Sequence, residues 1–196
     1  MGASTGRQAH DGRYRGAPAN SIAWIYGGGA VQYFFARDAH YDPRKFDQDA
    51  LAGRVREISA LMDSTNPDLS AFAARGGKLI VSEHMADYAQ SPYAGIRYYE
   101  TVVERMGRDK VRQFLRLYSA PGVDHVGTGA PSNVDMLSAL TAWAERGQGP
   151  DGLQLVEQSS KPPFAIARAR PLCEWPLWPR YKGGDPATAS SFECSR

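Results

Sequence analysis

The stretch that most constrains this chain runs from residue 77 to residue 147, where short apolar runs alternate with helical periodicity. Lys78-Leu79-Ile80-Val81-Ser82 is an apolar run bounded by Gly76-Gly77 and a polar loop, the pattern of a buried parallel strand. Tyr93 to Met106 repeats Ile96, Tyr99, Val102, Val103 and Met106 at helical spacing and stops at Gly107, which predicts a helix with one core face. Val111 to Tyr118 alternates and reads as a second strand, and a last helix is predicted from Asn133 or Asp135 through Met136, Leu137, Leu140 and Trp143 to Gly147. Parallel strands need a crossover of a dozen or more residues. The helix between these two runs supplies one, so the order β-α-β-α predicts a mostly parallel sheet covered by helices.

Each predicted strand is followed by a loop carrying a titratable side chain. After the first come Glu83-His84-Met85-Ala86-Asp87, and after the second Pro121-Gly122-Val123-Asp124-His125. Ligands of open α/β sheets collect at the carboxyl ends of strands, and a single strand-helix-strand unit brings two such loops side by side. Asp87 and His125 lie 38 positions apart, and an acid followed by a histidine is the second half of the Ser, Asp/Glu, His order of α/β-hydrolases. A general base must reach both a nucleophile and an orienting carboxylate, which a glycine-dense loop allows. The bland alternatives are a turn aspartate and a loop histidine. Asp124 is a rival acid, but adjacent side chains at a loop tip rarely aim at each other. His84, three residues before Asp87, is expected to pack structurally or border the site. His10 and His40 lie in polar segments and are expected to be solvent-exposed.

Composition removes several function classes. With 23 basic and 21 acidic residues the net charge is +2, which gives no electrostatic argument for nucleic acid or a membrane surface. No apolar run approaches the ~18 residues of a spanning helix. The start, Met1-Gly2-Ala3-Ser4-Thr5-Gly6, lacks the apolar core of a signal peptide. Four histidines with no His-x-x-x-His or Cys-x-x-Cys spacing predict no metal site. Cys173 and Cys194, in a Pro/Trp/Gly-rich tail, are open on count alone to being free thiols or a disulfide.

The flanks are less regular. Residues 1–29 are polar and Gly-rich, end in Gly27-Gly28-Gly29, and read as loop with at most a short helical turn around Ile22, Trp24 and Ile25. A helix is predicted over about 47–62, with Leu51, Val55, Ile58 and Leu61/Met62 on one face. Asn66-Pro67-Asp68 then reads as a turn before a short helix over 69–74. Residues 148–196 read as an irregular tail with possible edge strands over 153–156 and 164–167.

Beside this reading, the chain resembles the C-terminal part of the tannase/feruloyl esterase family over roughly residues 30–196. The resemblance rests on Asn66-Pro67-Asp68-Leu69-Ser70-Ala71-Phe72, Arg75 to Ile80, the Asp87 loop, Tyr98-Tyr99-Glu100 with Arg105-Met106-Gly107, Pro121 to His125, and Asp135-Met136-Leu137 leading to Trp143. It continues through Arg170-Pro171-Leu172-Cys173, Arg180-Tyr181-Lys182-Gly183 and Ser191-Phe192-Glu193-Cys194. It implies an α/β fold: the C-terminal segment of an α/β-hydrolase, with a lid remnant and linking helix over residues 1–65 and the catalytic-domain part over 66–196. It implies a serine carboxylic ester hydrolase acting on aromatic acid esters, hydroxycinnamoyl or galloyl, with Asp87 and His125 as triad acid and base. It also implies a Cys173–Cys194 disulfide and a secreted or periplasmic location. No cofactor is expected, since the calcium loop of the family's lid would precede residue 1. The expected partners are a small aromatic ester and the missing N-terminal half of the same enzyme, with no nucleic acid and no membrane.

Two departures accompany the resemblance. No Gly-x-Ser-x-Gly occurs, nor the Cys-Ser-x-Gly-Gly elbow of the family. Ser82 is followed by Glu83-His84 rather than by the small residues an elbow requires, and Ser4, Ser21 and Ser132 lie in ragged loops. The nucleophile is therefore expected outside this chain, which alone is expected to be inactive and to expose Leu79, Ile80, Val81 and Leu115. Second, many members place after the catalytic histidine a cysteine bonded to one beside the nucleophile; here that position is Val126. The alternatives are an inactive fragment or non-catalytic interaction module, and another α/β serine hydrolase, against which the segment Arg170 to Cys173 argues.

Overall fold

Residues 23–196 are described by a computed structural model of the chain, which divides into two units, one ending at Ser64 and the other spanning Thr65–Arg196. Ile22 of the expected N-terminal turn lies outside the described residues.

In the first unit, Ala23–Gly28 and Ala30–Ala36 wind as π-helical segments, so the Gly27-Gly28-Gly29 run is not the loop the sequence suggests. Gly28 and Val31 are the buried positions there, and packing at that face overrides the weak helical preference of glycine. A 3₁₀ turn, Pro43–Lys45, is capped by Asp42, whose carboxylate accepts from the Arg44 N–H at 3.1 Å. Helix α1, Ala52–Met62, is shorter than predicted. Of its expected core face, Leu51, Val55 and Ile58 are half-buried, whereas Leu61 and Met62 are exposed. Arg54 donates to the Phe34 carbonyl and ties the helix to the π-helical segment.

The second unit begins with α2, Ser70–Ala74, and strand β1, Leu79–His84. Helix α3, Pro92–Met106, has proline in its first turn, where the missing N–H costs no hydrogen bond, and it buries Pro92, Ile96, Tyr99 and Val102. Gly107 at φ 84° ends it. The sequence expects strand from Val111, but Arg108–Arg112 forms a further helical turn, α4, and strand β2 is Leu115–Ala120. The left-handed glycine restarts the backbone so that fully buried Val111 packs as a helical residue. Helix α5, Met136–Arg146, is capped by Asp135, whose side chain accepts from the Ser138 N–H, and is closed by left-handed Gly147. Trp143 is buried, whereas Leu137 is exposed.

Strands β1 and β2 pair in parallel from Leu79 opposite Leu115 to His84 opposite Ala120. Alternation along β2 feeds two cores. Leu115 and Leu117 join Ile96, Tyr99, Val102, Val111 and Phe114 on one face, while Tyr118 and Ala120 join Val123, Leu155 and Leu172 on the other. Full burial of each such side chain contributes roughly 1.5–3 kcal/mol. Leu115 is thus buried rather than exposed as expected, and Leu79, Ile80 and Val81 of β1 are half-buried.

The remaining chain is more regular than expected. Both possible edge strands of the tail are present, β3, Gln154–Gln158, pairing antiparallel with β4, Ile166–Pro171, and a further ribbon pairs β6, Trp178–Tyr181, antiparallel with β7, Phe192–Ser195. Among the described residues the main sheet keeps the expected parallel pair and adds a short antiparallel strand. The main sheet has the order β1-β2-β5, and β5, Cys173–Glu174, runs antiparallel to β2. Cys173 on β5 is disulfide-bonded to Cys194 on β7, which fastens the last ribbon to the main sheet.

Candidate active site

Because β1 and β2 end in register, His84 beside Ala120, the loops that follow them start side by side. Backbone hydrogen bonds join the two: Met85 N–H donates to the Ala120 carbonyl at 3.1 Å and Ala86 N–H to the Val123 carbonyl at 3.0 Å. His84, at the end of β1, adds a side-chain link by donating from Nδ1 to the Asp124 carbonyl at 2.9 Å.

The second loop is held by its own aspartate. The Asp124 carboxylate accepts from the backbone N–H groups of Val126 and Thr128 and from the Thr128 hydroxyl at 2.6 Å. The Thr128 hydroxyl, with these N–H groups, holds the Asp124 carboxyl below the usual carboxylate range. This aspartate is therefore committed to the turn and not to the histidine beside it. Gly129 is required here, since a Cβ would sit 2.5 Å from the Gly122 carbonyl oxygen, at a positive φ besides.

The structure brings Asp87 and His125 together. His125 Nδ1 lies 2.9 Å from Asp87 Oδ2 and 3.1 Å from Oδ1. Oδ1 also accepts from the backbone N–H groups of Ala89 at 2.7 Å and Gln90 at 3.0 Å, so the carboxylate is fixed by its own loop before it meets the ring. The Asp87 side chain is only 8 % exposed and that of His125 is 47 % exposed. The hydrogen bond from His125, reinforced by the two backbone N–H groups, holds the Asp87 carboxyl down at about 2. An ionised carboxylate can only accept, so Nδ1 carries the proton and Nε2 is left as the acceptor. Such an imidazole can take a proton from a nucleophile presented to it.

Sequence reasoning missed two neighbours. Tyr88, next to Asp87, sets its ring 6.1 Å from the His125 ring while remaining 65 % exposed; an aromatic directly after the acid was the available signal. Glu83 is half-buried near Gly95 of α3, and burial, with the Asp87 charge, pushes its carboxyl up. Val126 is exposed beside His125. Ser82 lies inside β1, opposite Tyr118, rather than at an elbow. The Ser132 hydroxyl is spent on the Gly127 carbonyl at 2.6 Å. Ser4, Ser21 and His10 lie outside the described residues. His40 is exposed. Among the described residues no cluster of three His, Cys, Asp or Glu is arranged to hold a metal, and no helix is long and apolar enough to cross a membrane.

Helix-flanked parallel strands with an acid and an imidazole at their carboxyl ends define an α/β protein, with its candidate site where ligands of that class collect. A family model described as tannase and feruloyl esterase matches residues 2–195, and the chain belongs to that family. It is 37% identical over 169 residues to an uncharacterized esterase of Agrobacterium fabrum, covering 84% of this chain and 30% of the relative. It is 40% identical over 165 residues to mono(2-hydroxyethyl) terephthalate hydrolase of Piscinibacter sakaiensis, covering 77% of this chain and 26% of the relative. The crystal structure of an esterase from Aspergillus oryzae shares the fold with a TM-score of 0.77 at 21% identity, over 87% of this chain and 37% of that one. The chain thus spans about a third or less of the length of the relatives it matches.

Proposed function

We propose that this chain supplies the acid and base of a Ser-His-Asp ester hydrolase acting on aromatic acid esters of the hydroxycinnamoyl or galloyl type. The observation that carries the reading is the Asp87 to His125 hydrogen bond of 2.9 Å at the carboxyl ends of paired strands. A serine outside this chain attacks the ester carbonyl while His125 Nε2 takes its proton. Asp87 holds the tautomer and stabilises the imidazolium without itself being protonated. The proton then passes from Nε2 to the departing alkoxide. Water, deprotonated in turn by His125, releases the aromatic acid. None of these steps calls for a cofactor. The aromatic substrate class is supported by the family's description and by the terephthalate monoester named for one relative. A secreted or periplasmic setting fits the disulfide, which persists in oxidising compartments.

The test is a chimera in which residues 65–196 replace the matching segment of the Agrobacterium fabrum esterase. Hydrolysis of a feruloyl or galloyl ester is expected, with a loss of about 10³-fold or more in kcat on His125→Ala. A chimera that folds and hydrolyses esters equally well with His125→Ala would overturn the assignment. The chain alone is expected to be inactive; hydrolysis by it, abolished by His125→Ala, would place the nucleophile within it, with Ser82 the first to replace.

A further inference from the structure

A cleft lies at the same end of the sheet as the Asp87–His125 pair. It has a volume of about 440 Å³ and is lined by Pro121, Trp178, Pro179, Arg180 and Arg196, which is within the size range of small-molecule sites. Pro121 directly follows β2 and opens the loop that carries His125. The other wall is the β6–β7 ribbon, where Trp178 and Arg180, two apart on one strand, share a face.

The chemistry of that face is specific. Trp178 is 60 % exposed, an uncommon position for an indole with no partner ring. Among the described residues neither Arg180 nor Arg196 makes an ion pair or side-chain hydrogen bond, whereas Arg44, Arg54, Arg112 and Arg168 pair with carboxylates and Arg170 lies over Phe192. Glu193 stands opposite Arg180 in the ladder and forms no ion pair with it, so the guanidinium stays available. The Ser195 hydroxyl, on the face of its cross-strand partner Trp178, is buried and has no hydrogen-bond partner. An indole face and two pyrrolidine rings suit a flat apolar body, and a guanidinium fork suits a planar carboxylate.

We propose that this cleft binds an aromatic carboxylate, with the ring against Trp178 between Pro121 and Pro179 and the carboxylate on Arg180 and Arg196. The inference goes beyond the ester-hydrolase reading and does not depend on it, because occupancy is read without turnover. Under that reading, the ligand is of the same chemical class as the acid released.

The experiment is a titration of the full chain with 4-hydroxycinnamate, followed by the indole and guanidinium N–H resonances in NMR. A dissociation constant on the order of 1 mM is expected for a ligand of this size on an open cleft. Shifts at Trp178 and Arg180 should saturate together. Trp178→Ala, and separately Arg180→Gln with Arg196→Gln, should each weaken binding about tenfold or more, and methyl 4-hydroxycinnamate should bind similarly weakly. His125→Ala should leave the affinity unchanged. The exposed arginines carry the test if Trp178→Ala disturbs the ribbon. No saturable binding, binding untouched by the arginine changes, binding lost with His125→Ala, or equal binding of glucuronate, which has the carboxylate but no aromatic ring, would each overturn the proposal.

Discussion

His84 donates from Nδ1 to the backbone carbonyl of Asp124 at 2.9 Å, so the end of β1 holds the residue immediately before His125. Together with the Met85 and Ala86 backbone bonds, it makes one body of the two loops that carry Asp87 and His125. Replacing His84 with alanine removes the donor and leaves a carbonyl unpaired, a loss of roughly 0.5–1.5 kcal/mol. An earlier urea midpoint with unchanged slope is expected, along with faster hydrogen exchange of the Ala86 amide. An unchanged midpoint and exchange rate would show that the backbone bonds suffice.

The Asp87 carboxyl is held at about 2, chiefly by the His125 hydrogen bond. Its native value is depressed below 3.8, so its contribution to stability is present in full above the unfolded value and is lost as pH falls from there through about 2. Carboxyl ¹³C titration should place the midpoint near that value, and His125→Ala should move it up toward 3.8. A midpoint already at 3.8 in the unsubstituted chain would mean that the hydrogen bond does not hold in solution.

The Cys173–Cys194 bond closes a loop of 21 positions that contains strand β6 and joins the last ribbon to the main sheet. Replacing both cysteines with serine should cost roughly 3 kcal/mol on the loop-entropy model. The check is urea unfolding of the double variant beside the oxidised chain, and beside the same chain under reductant, which should match the variant. Coincident curves for all three would show that the ribbon is held by its hydrogen bonds and packing alone.

The site loops were legible in the sequence because strand, glycine and histidine follow one another without interruption, and the apolar run fixes β1 to within about two residues. The break at Gly107 was not. Val111 fits an alternating strand pattern as well as a helical turn, and only its burial against α3 and β2 selects the turn. The tail ribbons were underread because Pro162, Pro163, Pro176 and Pro179 interrupt their pattern, and proline argues against strand except at edges. Two-stranded ribbons consist only of edges. The tie from His84 to the Asp124 carbonyl has no sequence signature, because its acceptor belongs to the backbone.

Glu83 and Gly95 give a test in which two substitutions read each other. The Glu83 carboxylate lies so close over Gly95 that a Cβ there would overlap it. Alanine in place of glycine inside a helix ordinarily stabilises by roughly 0.5–1 kcal/mol. At position 95 the new methyl must displace only the far end of the flexible Glu83 side chain, so the gain is reduced rather than reversed. Gly95→Ala alone is therefore expected to change stability by less than about 0.5 kcal/mol. In a Glu83→Ala background the obstruction is gone, and the same substitution should stabilise by about 0.5–1 kcal/mol. Urea unfolding of the four proteins yields the coupling energy, expected at about 0.5 kcal/mol. Additive effects would show that the Glu83 side chain swings away at no cost.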